Sequence, residues 1–436
     1  MVKRLILYSG FFVLVLGLAG TLAQTPPPTL TLQQAETIAL KNHPQVFAAQ
    51  YNQLASDQVV REVRSAYYPT AYGSLTGSDA DRDTRLGAGV LNAPRLFTRE
   101  GDGITIDQLV YDSGRTPNLV ASSRLSARAA DENTQATRYD VLLAVNHAYF
   151  EVLRAQALLR VANETVAERQ VVQSQVDVMV KNKLRSELDL SFANVNFAQA
   201  KLLQIQSQNN LDAAQAQLTR AMGLANRQAY TLQDVPLPPA PPSSSAPLLA
   251  AAMGNRPELA GLRFQQQSAY KYQRAQRDLS FPTVTAVGAA GYIPVIDQIL
   301  RPSIIPDHYE AAGINVNIPI FNGHLFAADR EEALMRARQA NQNLRDMVER
   351  IDRDVRVAYY DAVTGYQRIG VTEQLLNQAK LALALAQGRY NLQLSSIVAL
   401  SQAQLGETQA EVQAVNAKYD FENENAVLEY QTGMLR

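Results

Sequence analysis

Four histidines, His43, His147, His308 and His324, are the only imidazoles in the 436-residue chain, and they are scattered without metal-ligand spacing. Cysteine is absent. That removes disulfides, a thiol nucleophile, cysteine-ligated zinc or iron–sulfur sites and a lipid-anchored N-terminal cysteine. Gly87-Ala88-Gly89 and Gly101-Asp102-Gly103 fall in a predicted loop and do not open a helix after a strand, so they make no phosphate cradle. No Gly-x-Ser-x-Gly elbow is present. The carboxylates follow helical surface spacing rather than the pairing of an acid–base dyad. Asn163-Glu164-Thr165 matches a glycosylation sequon but falls inside a predicted helix. His147, on a predicted helix near Tyr149 and Phe150, is expected to be a structural residue rather than a ligand. These residue types predict no enzyme, no cofactor and no metal.

The elements that carry these residues explain more. With 40 Lys+Arg against 41 Asp+Glu, the formal net charge is −1, which gives no reason to expect nucleic acid as a partner. Hydrophobic residues make up 47% of the chain, ample for a core. Residues 1–23 read as a secretory signal peptide: Lys3 and Arg4, an apolar run from Leu5 to Leu18, and Thr21-Leu22-Ala23 as the cleavage site. The run is short for a retained spanning helix, and no later segment offers about 18 uninterrupted apolar residues. The mature chain is therefore expected to be soluble or membrane-embedded as a β-barrel.

Prolines cluster at Pro26–Pro28 and Pro236–Pro247, and none falls in 118–235 or 320–436. Those two breaker-poor segments favour helix. Apolar residues recur there every seven positions: Val145, Val152, Leu159, Val166 and Val180, then Leu188, Val195 and Leu202. The second segment gives Val355, Ala362, Ile369, Leu376, Leu383 and Tyr390, then Val398, Leu405, Val412 and Tyr419. Sustained heptads indicate supercoiled helices. Abundant Ala and Gln beside them suit helices packed on more than one flank, although a coiled-coil rod with one seam also satisfies the pattern. Each segment breaks once, at 181–186 and at 391–396, with Ser186 and Ser396 as N-caps and Glu187 suiting the helix dipole. Two long hairpins result, the helix from about 116 to 182 being roughly 100 Å long at 1.5 Å per residue.

The chain is also written twice. Asn42-His43-Pro44-Gln45 matches Asn255-Arg256-Pro257-Glu258, Ala148-Tyr149-Phe150 matches Ala358-Tyr359-Tyr360, and Gly223 matches Gly433. This predicts a first structural repeat over 24–234, a Pro-rich linker over 235–247 and a second repeat over 248–436. Alternating stretches at 71–76, 103–106, 283–287 and 313–318 predict two strands per repeat, joined by loops over 78–102 and 293–310. Four strands cannot close a barrel alone; three chains would pool twelve. The competing architecture is a small sheet capping a soluble helical rod.

Leu30-Thr31-Leu32-Gln33-Gln34-Ala35-Glu36-Thr37-Ile38-Ala39-Leu40-Lys41-Asn42-His43-Pro44 resembles the opening of mature TolC-like outer-membrane efflux proteins. Asp107 to Arg115 resembles their strand-to-helix motif, and Asn317 to Gly323 its second copy. The resemblance covers essentially the whole mature chain. It implies a homotrimer with a twelve-stranded barrel in outer-membrane lipid and a twelve-helix α-barrel crossing the periplasm. Such ducts work passively with a periplasmic adaptor and an inner-membrane pump, exporting small molecules or polypeptides. A soluble periplasmic scaffold or adhesin without a pore is the alternative.

The resemblance makes the hairpin turns the adaptor-docking tips: Lys183, Leu184, Arg185 and Ser186 on the first, Gln393, Leu394, Ser395 and Ser396 on the second. The common tip pattern places Gly where this chain has Lys183 and Gln393. Asp189, Ala399 and Gln402 fall at the expected periplasmic pore entrance. In the best-known member two aspartates ring that entrance, and the matching positions here are Ala399 and Gln402, which implies weak charge selectivity at that level. Lys181, Lys183 and Arg185 give the first tip a positive character.

Overall fold

A computed structural model describes residues 29–79, 86–88, 91–93, 99–225, 230–294 and 307–435. The expected signal peptide lies outside the described residues. Strand β1 (Thr29–Leu30) leads into helices α1 (Leu32–Asn42) and α2 (Pro44–Arg64). Strand β2 (Thr70–Ser78), a short hairpin of β3 (Leu86–Ala88) and β4 (Leu91–Ala93), and strand β5 (Arg99–Tyr111) follow. The first long hairpin is α3 (Arg115–Lys181) with α4 (Glu187–Ala221), and strand β6 (Thr231–Leu232) closes the first half. The second half repeats the order with α5 (Ala246–Asn255), α6 (Pro257–Asp278), β7 (Thr283–Tyr292), β8 (His308–Asn317), α7 (Leu325–Asn391) and α8 (Ile397–Gln431). The long helices match in length across the halves, 67 residues each for α3 and α7 and 35 each for α4 and α8. None among the described residues is long and apolar enough to cross a membrane.

The main strands form one antiparallel sheet in the order β2-β5-β7-β8. Three sequence expectations need correction. Strand β5 begins at Arg99, so Gly101-Asp102-Gly103 are strand rather than loop. Part of the expected first loop is the β3–β4 hairpin. Helix α5 starts at Ala246, inside the expected linker, because Pro247 suits a first helical turn. Glycines hid the start of the strand by breaking its period-two pattern. Their role is steric: a Cβ at Gly103 would stand 2.3 Å from the Tyr309 hydroxyl oxygen, and one at Gly291 2.6 Å from it.

The strand-to-helix motif has a mechanical basis. Ser113 and Gly114 both adopt positive φ, and the buried Asp112 carboxylate accepts from the Gly114 N–H at 3.3 Å and the Thr116 N–H at 2.5 Å. A carboxylate there satisfies orphan donors of α3 and complements its dipole.

Helix α3 outruns α4, so other helices cover its remaining length. Helices α2 and α6 pack on the half nearer the sheet, where Ser122 Oγ donates to Ser268 O at 3.0 Å and Ser268 Oγ to Ser122 O at 2.9 Å. Helix α4 ends against the α1–α2 joint and α8 against the α5–α6 joint. Gly223 (φ +70°) and Gly433 (φ +69°) form these contacts; a Cβ on them would meet His43 Cα at 2.7 Å and Asn255 Cβ at 2.9 Å. The largest core surrounds the first joint, uniting Val145, Tyr149 and Val152 of α3 with Ala35 and Ala39 of α1, Val46 of α2 and Leu218 of α4. Tyr149 Oη sits 2.9 Å from Leu30 O and 2.6 Å from Gln233 O, tying the parallel β1–β6 pair to α3. Burial pushes this hydroxyl up to about 12, so it remains a neutral donor.

Gly223→Val is expected to cost at least about 2 kcal/mol, from left-handed strain plus the collision with the α1–α2 joint. Thermal unfolding of the variant measures it. On α8, the buried Glu422 carboxyl is pushed up to about 7, chiefly by desolvation, with Asp234 and Glu429 adding and Lys418 opposing. Its folded state keeps a proton that the unfolded chain releases above its ordinary value of 4.5. This contribution is present at low pH and is lost as pH rises toward 7. Glu422→Gln should therefore raise the melting temperature at about pH 8 more than at about pH 5.

Candidate docking tips and duct wall

Both hairpin turns are built alike. At the end of α3 the Lys183 N–H donates to Val180 O at 2.9 Å and the Leu184 N–H to Met179 O at 2.8 Å. At the end of α7 the Gln393 N–H donates to Tyr390 O at 3.0 Å and the Leu394 N–H to Arg389 O at 2.8 Å. This is a Schellman termination, which needs a left-handed residue, and Lys183 and Gln393 both have φ +60°. The turn geometry thus persists at the two positions where glycine would have been unstrained. Leu184 and Leu394, which in such a motif often fold back on the helix, are 62% and 67% exposed.

The residues expected at the tips have different roles. Ser186 and Asp189 form a reciprocal capping box: the Asp189 N–H donates to Ser186 Oγ at 3.2 Å, and Asp189 Oδ2 accepts from the Ser186 N–H at 3.2 Å. The Asp189 carboxylate is therefore engaged at the start of α4. Ser396 accepts only from the Ala399 N–H, at 3.3 Å, since Ala399 has no group to return the bond. Lys181 pairs with Asp177 at 2.7 Å, and Lys183 is exposed. Ala399 and Gln402 are exposed on α8 and continue through Gly406 and Gln409 as a face without charge. Ser395 is half-buried.

Arg185 does more than add positive charge to its tip. Its Nη2 donates to Tyr390 O at 2.9 Å, and its guanidinium lies 4.4 Å from the Tyr390 ring centroid, joining one tip to the other. Beneath them Val176, Ala193, Tyr390, Ile397 and Leu400 form a small core. Arg169, buried on α3, likewise ties to α8 through Gln404 O at 2.9 Å and Thr408 Oγ1 at 3.1 Å. Sequence reading missed both links, because nothing in the local pattern associates residues about two hundred positions apart.

The helices run side by side in the order α4–α3–α8–α7. Heptad positions on α3 and α7 pack within the chain: Val145, Val152, Val355, Ala362 and Tyr390 are buried. On the return helices the pattern divides: Tyr419 is buried and Val412 half-buried on α8, whereas the positions nearer the tips are open. Leu188, Val195 and Leu202 are 65%, 52% and 55% exposed, and Val398 and Leu405 are also exposed. Helix α4 instead buries Ala193, Ala200, Ser207 and Ala214, a stripe of small residues with the same seven-residue period. Each return helix thus has a second apolar flank, and on α7 Val357, Val371 and Leu385 leave another uncovered.

The sheet is two-faced. Register places Ala71, Leu75, Ile104, Ile106, Val284, Ala286, Ile314 and Val316 on one face, with Asp102, Glu310 and His308 at its end away from the helices, and Thr70, Ser74, Thr105, Asp107, Thr285, Asn315 and Asn317 on the other, together with Tyr72, Val287 and Tyr309. Apolar residues outside and polar residues inside is the pattern of a membrane barrel. Strands β2 and β8 each leave one edge without a partner strand among the described residues.

Lys183→Gly and Gln393→Gly are each expected to stabilise the chain by up to about 1 kcal/mol, by releasing left-handed strain without altering the turn. Arg185→Ala is expected to destabilise it. Denaturant unfolding of the three variants reads both signs.

Sequence comparison matches the family described as "Outer membrane efflux protein" over residues 37–224 and again over 248–433. The chain is 24% identical over 395 residues to outer membrane protein TolC of Vibrio cholerae, covering 88% of this chain and 86% of that one. It is 25% identical over 426 residues to alkaline protease secretion protein AprF of Pseudomonas aeruginosa, covering 91% and 83%. Its fold superposes on the CmeC outer membrane channel of Campylobacter jejuni with TM-score 0.78 at 16% identity, covering 92% and 85% of the two chains. The duplicated match, the two-faced sheet and the paired long hairpins have one common explanation: the chain belongs to the outer membrane efflux protein family, a family of channels rather than enzymes, sited in the outer membrane and extending into the periplasm.

Proposed function

We propose that three copies of this chain close into one tube, a passive exit duct. The carrying observation is the set of apolar flanks and sheet edges left uncovered on a single chain. Leu188, Val195 and Leu202 on α4 stand at one end of the four-helix wall, and Val357, Val371 and Leu385 on α7 at the other. Joining these ends around a threefold axis buries both in knobs-into-holes seams and makes a ring of twelve helices. The same operation pairs the free edge of β2 with that of β8 in the next copy. A twelve-stranded barrel follows, and closure is what lipid demands of a sheet.

In this reading the apolar face of the sheet meets outer-membrane lipid and the polar face lines the lumen. The repeats 24–234 and 248–436, joined by the linker 235–247, alternate around the wall, and residues 1–23 direct the chain across the inner membrane. The tips dock a periplasmic adaptor through Leu184 and Leu394, and an inner-membrane pump supplies the energy. The duct needs no catalytic residue. Relatives named for efflux and for alkaline protease secretion support a cargo of small molecules or polypeptides. Asp189 caps its helix in this account, while Ala399 and Gln402 form an uncharged entrance.

Leu188→Asp with Leu202→Asp should leave helical circular dichroism near wild type while abolishing the cross-linked trimer and its conductance in planar bilayers. Leu184→Asp with Leu394→Asp should leave trimer and conductance intact and abolish export from cells. A wild-type chain that stays monomeric and non-conducting would overturn the duct; normal export by the tip variant would overturn the docking role.

A further inference from the structure

A barrel of about eight strands is filled by its own inward side chains, whereas one of about sixteen leaves an aqueous channel. Three of these sheets would make a barrel between those sizes, so the largest side chains on the polar face decide how wide a passage is left. Among the described residues that face carries two tyrosines, Tyr72 and Tyr309. They are held differently. Tyr72, on the edge strand β2, is 60% exposed. Tyr309, on the edge strand β8, is half-buried.

The reason lies in one row of the sheet. Register places Tyr309 beside Gly291 of β7, Gly291 beside Gly103 of β5, and Gly103 beside Ser74 of β2. The next two positions along the row from the tyrosine therefore have no side chain. Adjacent strands lie about 4.8 Å apart, so Gly103 is about 10 Å from Tyr309 along the row. The ring nevertheless reaches it. A Cβ on Gly103 would collide with the Tyr309 hydroxyl oxygen and stand 3.3 Å from Cζ, and one on Gly291 would stand 2.7 Å from Cε1. A side chain that spans two strands lies along the sheet instead of standing on it. Glycine in a strand leaves room for such a close approach, and here two of them form the groove that the ring occupies. Groove and ring belong to one chain, so the arrangement does not depend on a neighbouring copy.

We propose that Tyr309 sets the bore of the duct in the half of the barrel away from the helices. Seated over Gly103 and Gly291 its ring lines the wall; unseated, it projects into the passage from each copy. The assignment rests on the exit-duct reading, in which this face is lumenal. Gly103 is the position that controls the seat. The atom that a Cβ there would strike is the free end of a side chain that can swing away, with Ala290 O next at 3.2 Å. At Gly291 a Cβ would also strike the backbone oxygen of Asp102, so substitution there disturbs the sheet itself. A methyl group at position 103 thus lifts the ring off the wall and toward the lumen.

The test is single-channel conductance of the purified full-length protein in planar bilayers. Gly103→Ala should lower conductance by at least about a third, because current follows the narrowest cross-section. Adding Tyr309→Ala to that variant should restore conductance to the wild-type level or above, whereas a ring with only a packing role would restore none. Cysteine is absent from the chain, so Tyr309→Cys places a single thiol in each copy. A cationic methanethiosulfonate reagent added to that conducting channel should then reduce the current in three steps. Wild-type conductance in assembled Gly103→Ala channels, or a double variant as restricted as the single one, overturns the proposal. Should Gly103→Ala not assemble, the thiol experiment decides, and current unchanged by the reagent overturns it. A conducting wild type with these negative results sinks the role of Tyr309 alone, and a non-conducting wild type sinks the duct with it.

Discussion

A helix in a closed ring must bury two flanks, and this chain supplies each helix with a partner on only some of them. That imbalance governs the rest of the structure. Helices α3 and α8 sit inside the wall and are flanked on both sides, whereas α4 and α7 stand at its ends with large apolar residues facing outward. At about 25 cal/mol per Å² of apolar surface, leaving such stripes in water is a strong drive toward self-association. The sheet obeys the same logic in another currency, since the unpaired edges of β2 and β8 present backbone groups that lipid cannot satisfy. Both deficits sit at the ends of one chain's contribution, so in the proposed trimer one rotation resolves them together.

Size mismatch lets the return helices serve two seams. On α4 the inner seam runs Ala193, Ala200, Ser207 and Ala214, and the outer one Leu188, Val195 and Leu202. Small residues allow close approach within the chain, and the large ones stay exposed, open to the neighbour that the proposed trimer supplies. The tips extend this economy. Schellman turns end both long helices, Arg185 bonds one tip to the other, and the two leucines that follow the left-handed residues point outward. Left-handed strain at Lys183 and Gln393 is tolerated because the hydrogen bonds on either side over-determine the turn.

Charge is placed unevenly along the wall. At the tips, Asp177 is paired with Lys181 and Asp189 serves as a cap. Nearer the joint, Glu422 and Glu424 are held in poorly solvated sites that raise their proton affinity. Charged at neutral pH, such groups destabilise the fold.

Much of the architecture was legible from the residues in order. Missing breakers and heptads located the long helices to within a residue or two, and Ser186 and Ser396 marked the return helices. The repeated order of elements followed from matched positions such as Gly223 and Gly433, where the turn admits no side chain. These features are local, written into spacing and backbone propensity. Other features depended on distant parts of the chain meeting. A seven-residue period says that a helix has a seam but not which neighbour fills it, so Leu188, Val195 and Leu202 looked like core and proved to be an outer flank. Glycines concealed where β5 starts, because Tyr309, two hundred residues away, supplies the covering side chain. The Arg185–Tyr390 bridge and the buried Arg169 arise only where α3, α7 and α8 converge. Sequence periodicity fixes which faces a helix has; only the tertiary structure decides what each face meets, because contact depends on three-dimensional distance rather than on separation along the chain.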